Sequence, residues 1–377
     1  MEQKRLGDIA TYINGFAFKP EDRDSAGLPI IRIQDLTGNA YDLGFYDGAY
    51  PERIEINDGD VLISWSASLG VYVWNKGKAL LNQHIFKVAF DKCEVNREYF
   101  VYAVRYKLKE MESKTHGATM KHIVKKDFDN TLIPFPAFDE QRRIAESLDT
   151  AYAIITARQN QLQKLDELIK ARFVELFGDP VTNPKGWTTK SLLDMGYCKN
   201  GMNFHNGDSG MKIHCLGVGD FKDLSVIDGT EHLPVISLNE APPEESMLRD
   251  GDIVFVRSNG NKALVGRCLA VYPRNTPTTY SGFCIRYRLT SSEVDVTYLL
   301  QVLKTDSMRR KMAGRGANIQ NLNQQVLAAL DIPLPPIEQQ QQFAAFVEQI
   351  DKSKVAVQKS LDEAQLLFDS LMQQYFE

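Results

Sequence analysis

The chain has 377 residues, of which 43% are hydrophobic and 25% are charged, a composition typical of a globular protein with two or three domains. Its formal net charge of −5 excludes a wholly basic nucleic-acid binder, although an acidic protein can carry a basic face. The sequence has no apolar run long enough to span a membrane and begins without a signal-peptide pattern, so we expect a cytoplasmic protein without membrane contacts.

Residues 1–137 predict a first α+β domain. Alternating hydrophobicity over residues 28–36, and the apolar run at 60–65 that follows a Gly-Asp turn, indicate β-strands. A helix is predicted at about residues 99–109, where apolar residues recur three and four positions apart. The stretch that follows, around a Gly-Ala pair, is rich in lysine, and cations beside a glycine suit a close approach to phosphate groups.

Residues 138–178 predict one long helix. From residue 139 to about 177 the sequence contains neither proline nor glycine, and its apolar residues recur every three or four positions, as in a coiled-coil seam. At about 1.5 Å per residue the helix is roughly 58 Å long, which favours pairing with a second helix over lying on its own domain. The predicted seam residues are Ile144, Leu148, Ile155, Leu162 and Leu165.

The second half of the chain repeats the first. Residues 94–177 match residues 293–376 at a constant offset of 199, without insertion or deletion. Near the start of each copy the offset is 186, so that Gly15 falls on Gly201. The second copy therefore contains 13 additional residues, which we expect within the polar stretch at 224–246.

This repeat predicts a second α+β domain at residues 179–336 and a second long helix at 337–377. Another apolar run, at 252–257, again follows a Gly-Asp turn. We expect the two helices to form an antiparallel coiled coil with the two domains at opposite ends, related by a pseudo-twofold axis. Two homologous domains in turn predict two similar sites. The seam residues of the second helix are Phe343, Val347, Ile350, Leu361 and Phe368.

Two kinds of loop could read DNA. Sequence readout needs hydrogen-bonding side chains on loops or helix ends, framed by phosphate contacts, and arginine and asparagine suit guanine and adenine respectively. The loops at 64–70 and 257–262 fit this description, although tight turns use the same residue types for backbone reasons. The basic Gly-Ala segments fit it too, with a solvated helix end as the alternative. The candidate DNA-binding residues are Ser64, Ser66, Ser68, Lys114, Thr115, His116, Thr119, Lys121, Arg257, Asn259, Lys262, Arg315, Asn318 and Gln320.

The order of motifs resembles that of a known family. Each globular part is followed by an IPxP turn, a helix start rich in Glu and Gln and a long helix, and the linker GDPVTNPKGW joins the two copies. Over the whole chain this resembles the specificity subunit of Type I restriction-modification systems. The second copy reads IEQQQQF where the first reads FDEQRRI, and Ala137 and Phe138 replace a commoner Pro-Leu-like pair, but neither departure changes the resemblance.

The resemblance implies a division of labour between subunits. Each domain would be a target recognition domain that reads one half of a bipartite sequence in double-stranded DNA. The helices would set the gap between the halves and dock two methyltransferase subunits, and restriction subunits would join the full complex. This chain would then be non-catalytic and need no cofactor, while S-adenosylmethionine, ATP and Mg would be bound only by the partner subunits.

The residues themselves give no support for catalysis. The sequence has no Asn-Pro-Pro-aromatic motif, no Gly-rich S-adenosylmethionine loop after a strand and no GxxxxGK[ST] phosphate loop. Its five cysteines form no Cys-x-x-Cys pair and its six histidines are scattered, so neither a disulfide framework nor a metal site is indicated. A bivalent scaffold that pairs two protein partners without reading DNA is the alternative, favoured by the acidic charge. A self-contained enzyme is a third hypothesis.

Overall fold

The chain folds into two compact units. The computed structural model describes residues 2–38, 42–114, 123–204, 209–221, 224–313 and 321–377, and at positions 113, 114, 262 and 313 it describes the backbone alone. Unit 1 comprises Met1–Gln159 with Gln358–Glu377, and unit 2 comprises Asn160–Val357. About half of each long helix therefore belongs to unit 1 and the other half to unit 2. The division expected from the sequence has four consecutive segments instead, with each long helix as a segment of its own. Within the described ranges no helix is long and apolar enough to cross a membrane.

Unit 1 combines two small β-sheets with a strand pair and helices. Its elements are β1 (Gln3–Arg5), α1 (Leu6–Ile9), β2 (Thr11–Asn14), β3 (Leu28–Ile31), α2 (Ile33–Thr37), β4 (Gly44–Tyr46), β5 (Glu55–Ile56), β6 (Val61–Ser64), β7 (Gly70–Val73), β8 (Ala79–Leu81), β9 (Ile85–Ala89), α3 (Arg97–Lys114), α4 (Lys125–Asp129), β10 (Leu132–Pro134), the first part of α5 (Phe138–Phe177) and the last part of α9 (Ile337–Phe376). The larger sheet has the antiparallel order β2-β9-β6-β7, and the smaller sheet has the order β4-β3-β8-β5. Strands β1 and β10 pair separately, with Lys4 opposite Ile133.

The alternating hydrophobicity at 28–36 predicted strand structure, but only its first four residues, Leu28–Ile31, form a strand. β3 ends at Ile31 and α2 begins at Ile33, because the Asp35 carboxylate accepts a hydrogen bond from the Arg32 N–H at 2.8 Å and so caps the new helix. Gly38, in the left-handed region with φ 75°, ends it. The apolar residues beyond Ile31 therefore mark one face of a short helix.

Unit 2 repeats this plan. Its elements are the second part of α5, then β11 (Thr189–Ser191), β12 (Gly196–Asn200), β13 (Met211–Leu216), β14 (Val226–Asp228), β15 (Val235–Leu238), β16 (Asp252–Val256), β17 (Cys268–Tyr272), β18 (Thr278–Tyr280), β19 (Cys284–Leu289), α6 (Val296–Lys304), α7 (Asp306–Ala313), α8 (Gln324–Ala328), β20 (Asp331–Pro333) and the first part of α9. The sheets have the orders β12-β19-β16-β17-β14 and β15-β13-β18, and β11 pairs with β20. Lys190 lies opposite Ile332, as Lys4 lies opposite Ile133.

The additional residues of unit 2 lie in more than one place. Strand β14 adds a fifth strand, parallel to β17, in the connection between β13 and β15. The loop between β16 and β17 is also longer, since it spans residues 257–267 where the equivalent loop of unit 1 spans only 65–69. The insertion expected at 224–246 is therefore partly correct, because the candidate recognition loop is itself enlarged.

In unit 1 the two long helices pack antiparallel. Tyr152 of α5 contacts Phe368 of α9, with ring centroids 6.0 Å apart, and the Arg158 Nε donates a hydrogen bond to the Ser360 hydroxyl at 3.2 Å. As residue numbers rise along α5 they fall along α9, so the helices run in opposite directions. Ile144 and Phe368 also lie in the same buried cluster as the strands of the larger sheet.

Unit 2 has the same arrangement with the roles of the helices exchanged. Lys354 of α9 forms an ion pair with Asp166 of α5 at 2.8 Å, and the rings of Phe173 and Phe343 lie 5.6 Å apart. Phe173 packs in addition on Tyr298 of α6, with ring centroids 5.8 Å apart. The prediction that the apolar residues of each long helix pack against the other long helix is thus incomplete. Apolar residues of both helices also pack in the cores of the globular domains.

Candidate nucleic-acid interface

Three loops of unit 1 meet at one end of the larger sheet. Residues 15–18 follow β2, residues 65–69 follow β6, and residues 82–84 precede β9. Because these strands are neighbours in an antiparallel sheet, their adjacent ends bring the loops together. We call these segments the loop cluster of unit 1. The loop cluster of unit 2 consists of the equivalent residues 201–204, 257–261 and 281–283.

Backbone hydrogen bonds hold the loop cluster of unit 1. The N–H of Gly15 donates to the Ile85 carbonyl at 3.2 Å, and the N–H of Trp65 donates to the His84 carbonyl at 3.4 Å. Glycine is needed at position 15, because a Cβ there would lie 2.2 Å from the carbonyl oxygen of Asn82. The glycine that both copies share, Gly15 matching Gly201, therefore reflects a close contact between two loops.

The serines of this loop have different positions. Ser64 is fully buried, and its hydroxyl donates to the Ser68 carbonyl at 2.6 Å, which closes the turn around Ala67, a residue with φ 60°. Ser66 is also buried, with 4% of its surface exposed. For Ser64 and Ser66 the structure therefore favours the backbone explanation of the loop over contact with a groove. Ser68 alone of the three is exposed.

The loop cluster of unit 2 has the same framework. The N–H of Arg257 donates to the Phe283 carbonyl at 2.8 Å, and its guanidinium donates through Nη1 to the Gly282 carbonyl at 3.3 Å. A Cβ at Gly201 would lie 2.0 Å from the carbonyl oxygen of Ser281, so glycine is again required. Half-buried Arg257 thus occupies the position that Trp65 has in unit 1.

Asparagines shape the rest of the longer loop. The Asn259 side-chain oxygen accepts a hydrogen bond from the Asn261 N–H at 2.8 Å, and the Asn261 side-chain oxygen accepts one from the Ala263 N–H at 3.0 Å. These are two successive Asx turns, which hold the loop without a sheet partner. Arg309 of α7 braces the same loop by donating to the Ala263 carbonyl at 3.2 Å. Asn259 is half-buried and can still offer its amide donors.

The described residues that follow the basic Gly-Ala segments bond to the loop clusters. In unit 1 the residue after the segment, Ile123, donates its N–H to the Trp65 carbonyl at 2.9 Å; in unit 2 Leu322 donates to the Arg257 carbonyl at 2.8 Å. Ile123 and Leu322 are thus tied to the loops that follow β6 and β16. The predicted residues Thr115, His116, Thr119, Lys121, Arg315, Asn318 and Gln320, and the side chains of Lys114 and Lys262, lie outside the described residues.

Three exposed side chains of the loop clusters were missed from the sequence. Phe283 is 61% exposed beside Arg257, and Gln83 and His84 are exposed beside Trp65. The ring of His84 lies 5.5 Å from that of Trp65. The offset of 199 also relates residues 82–84 to 281–283. The side chains of these two segments are so different that the equivalence becomes visible only in the register of the strands beside them.

The loop clusters combine side chains suited to DNA. An exposed phenylalanine can contact a thymine methyl group or a sugar, an arginine can donate two hydrogen bonds to guanine, and an asparagine can do so to adenine. At the other end of the same sheet of unit 2, half-buried Arg288 of β19 and buried Asp252 of β16 form a bidentate ion pair at 2.7 and 2.8 Å. Within the described part of the chain, no group of three His, Cys, Asp or Glu residues could hold a metal ion.

The predicted helix residues fall into two groups. Those near the globular domains are buried in their cores, as with Ile144, Leu148, Ile155, Phe343 and Phe368. The others, between the two domain contacts of each helix, are half-buried: Leu162, Leu165, Val347, Ile350 and Leu361. The long helices also present apolar side chains to solvent, including Val355, which is 71% exposed, and Leu366, which is 73% exposed.

The two α+β units have the same design, and each has its own loop cluster. The protein therefore has two copies of the candidate nucleic-acid interface. The family model of the Type I restriction modification DNA specificity domain matches residues 1–167 and 234–364, which is most of the chain. The chain therefore belongs to the family of Type I specificity subunits, as the motifs predicted.

Individual relatives agree with this assignment. The chain is 25% identical to the Type I restriction enzyme EcoBI specificity subunit of Escherichia coli over 98% of this chain and 83% of the relative. It is 27% identical to the StySPI specificity subunit of Salmonella potsdam over 98% and 86% respectively. The fold is similar to that of a Type I restriction-modification S subunit from M. genitalium, with a TM-score of 0.56 at 14% identity, covering 100% of this chain and 96% of the other.

Proposed function

We propose that this chain is a non-catalytic DNA-reading subunit in which each unit recognises one half of a bipartite target. The observation that carries the proposal is the recurrence of one loop framework with different side chains. Trp65 and His84 in unit 1 are replaced by Arg257 and Phe283 in unit 2, while the backbone hydrogen bonds between the loops are retained. A constant frame with variable contact residues is what reading two different half-sites requires.

The long helices would set the distance between the half-sites. Each has 40 residues, or about 60 Å at about 1.5 Å per residue, which is less than two turns of duplex at roughly 34 to 36 Å per turn. The half-sites should then be separated by several base pairs that are not read. Lengthening both helices by the same number of residues should change this gap and leave both half-sites unaltered.

The helices would also dock two methyltransferase subunits, with restriction subunits joining the full complex. Exposed apolar side chains on the helices, such as Val355 and Leu366, would be available for this contact. In this proposal S-adenosylmethionine, ATP and Mg belong to the partner subunits. The family description and the names of the relatives, which are specificity subunits of restriction enzymes, support the same division.

A bivalent scaffold that pairs two protein partners without reading DNA remains the second candidate, because the net charge is −5. Duplex binding measured over a range of salt concentrations, with and without a methyltransferase partner, separates the two. A reader that neutralises phosphates must lose affinity steeply as salt rises and must prefer one bipartite sequence over random duplex. Equal affinity for all duplexes, together with retained pairing of protein partners, would favour the scaffold.

A further inference from the structure

The loop cluster of unit 2 holds one phenylalanine out into solvent. Phe283 is 61% exposed, more than any other phenylalanine, tyrosine or tryptophan in the described residues. Within the same ranges its ring is in contact with no other aromatic ring. Single exposed apolar side chains are normal on protein surfaces, so the way in which this ring is held and what surrounds it decide its meaning.

Hydrogen bonds fix the backbone on both sides of the ring. The Phe283 carbonyl accepts a hydrogen bond from the Arg257 N–H at 2.8 Å. The Phe283 N–H donates to the Ser281 hydroxyl at 3.3 Å, and the Gly282 N–H donates to the Met202 carbonyl at 2.7 Å. These bonds join all three loops of the cluster. The exposed ring therefore stands on a backbone that two neighbouring loops hold in place.

The neighbours of Phe283 suit a nucleic acid better than a purely apolar partner. Half-buried Arg257 donates through Nη1 to the Gly282 carbonyl at 3.3 Å, which places a cation beside the ring. Phe204, on the loop that Met202 ties to Gly282, is 36% exposed, so the cluster presents a second phenylalanine. An apolar ring can contact bases, whereas a guanidinium group beside it can contact a phosphate or a base edge.

Unit 1 has a different side chain at the equivalent position. At the offset of 199, Phe283 corresponds to His84, whose ring lies 5.5 Å from that of Trp65 in an edge-on contact. Trp65 in turn stacks on Phe86, with ring centroids 5.6 Å apart. The imidazole ring is smaller and more polar, and it has an aromatic neighbour in its own unit. A protruding apolar ring is therefore not a requirement of the shared fold.

We propose that Phe283 is a wedge that inserts between two base pairs in the half-site of unit 2 and unstacks them. Apolar side chains, phenylalanine among them, can enter a base step and kink the duplex, and burial of the ring offsets part of the cost of unstacking. Pyrimidine–purine steps unstack most easily, so we expect such a step in this half-site. Unit 1 should leave the equivalent step stacked. The inference rests on the proposed function, since it requires DNA at the loop cluster.

The fluorescence of 2-aminopurine, which rises when the base loses its stacked neighbours, tests the wedge. The full chain with its methyltransferase partner is bound at saturation to the duplex that it methylates. The probe replaces in turn each purine of the half-site of unit 2, except the methylated adenine. Fluorescence should rise at one step with the unaltered chain. Phe283→Leu should keep this rise, because leucine also acts as a wedge.

Phe283→Ala should abolish the rise and weaken duplex binding about tenfold, because the buried ring is lost. His84→Ala, the matching change in unit 1, should leave the fluorescence of this half-site unchanged. Both side chains are exposed, so neither change removes a core contact.

Two results overturn the wedge: no rise with the unaltered chain, or equal fluorescence at every position for the unaltered chain and Phe283→Ala. In the second case Phe283 would be a groove contact only. Absence of any preference of the unaltered chain for a bipartite sequence over random duplex would contradict the proposed function, and the wedge would fall with it. The two failures are distinguishable, because failure of the wedge alone leaves sequence selectivity intact.

Discussion

A buried glutamine joins each long helix to its globular domain, and its removal should have a measurable effect. Gln340 is fully buried at the start of α9. Its side-chain oxygen accepts from the Asp295 N–H at 3.0 Å, and its amide nitrogen donates to the carbonyls of Pro335 at 2.8 Å and Glu293 at 3.1 Å. Three hydrogen bonds at about 1 kcal/mol each predict that Gln340→Ala lowers the free energy of unfolding of unit 2 by about 3 kcal/mol.

The matching residue of unit 1 provides an internal comparison. Gln141 accepts from the Asn96 N–H and donates to the Pro136 carbonyl, both at 2.9 Å, so it has two such bonds. Gln141→Ala should therefore cost about 2 kcal/mol, in unit 1. Urea denaturation followed by hydrogen exchange of each unit measures both effects separately.

The control is the neighbouring exposed residue on the same helix, Gln341→Ala, which should change stability by less than about 0.5 kcal/mol. This prediction is refuted if Gln340→Ala and Gln341→Ala unfold at the same urea concentration. It is also refuted if Gln340→Ala reduces the hydrogen-exchange protection of unit 1 rather than that of unit 2.

Three further changes test unit 2. Asp252→Ala leaves the guanidinium of Arg288, whose side chain is only 11% exposed, without its carboxylate, and should cost about 3 kcal/mol in urea denaturation; a change below about 1 kcal/mol would argue against a buried pair. Gly201→Ala places a Cβ 2.0 Å from the carbonyl oxygen of Ser281 and should lower the melting temperature, by an amount equivalent to about 2 kcal/mol; an unchanged melting temperature would show that the loops can separate freely. Arg257→Ala should weaken binding to the cognate duplex by about 1 to 3 kcal/mol and relax selectivity at one base pair, while binding to random duplex stays the same; equal weakening on all sequences would make Arg257 a phosphate contact.

The repeat and the long helices could be predicted because both are periodic signals in the sequence. An apolar residue every three or four positions over 40 residues requires a helix, whatever it packs against. What it packs against could not be predicted, because Ile144 and Phe368 are far apart in the chain and meet only in the folded core of unit 1. Seam and domain contacts use the same kind of residue, so the pattern alone does not separate them.

The candidate site could be predicted only in part, because one residue type can again serve two purposes. Gly-Asp turns and small polar residues located the loop at 64–70, but the same composition serves both DNA contact and turn formation, and for Ser64 it serves the turn. His84 and Phe283 were missed because neither residue type signals a contact by itself. Their role as neighbours of Trp65 and Arg257 arises from the register between β6 and β9, and between β16 and β19. The residues of the Gly-Ala segments remain predictions.

Exchanging the globular part of one unit tests whether the two units read their half-sites independently. Residues 1–130 are replaced by the equivalent segment of a relative with a different target, and the methylated sequence in the host genome is determined with the methyltransferase partner present. One half of the bipartite methylated sequence should change, while the other half and the gap stay the same. A change in both halves, or methylation at unaltered sites, would contradict independent reading by the two units.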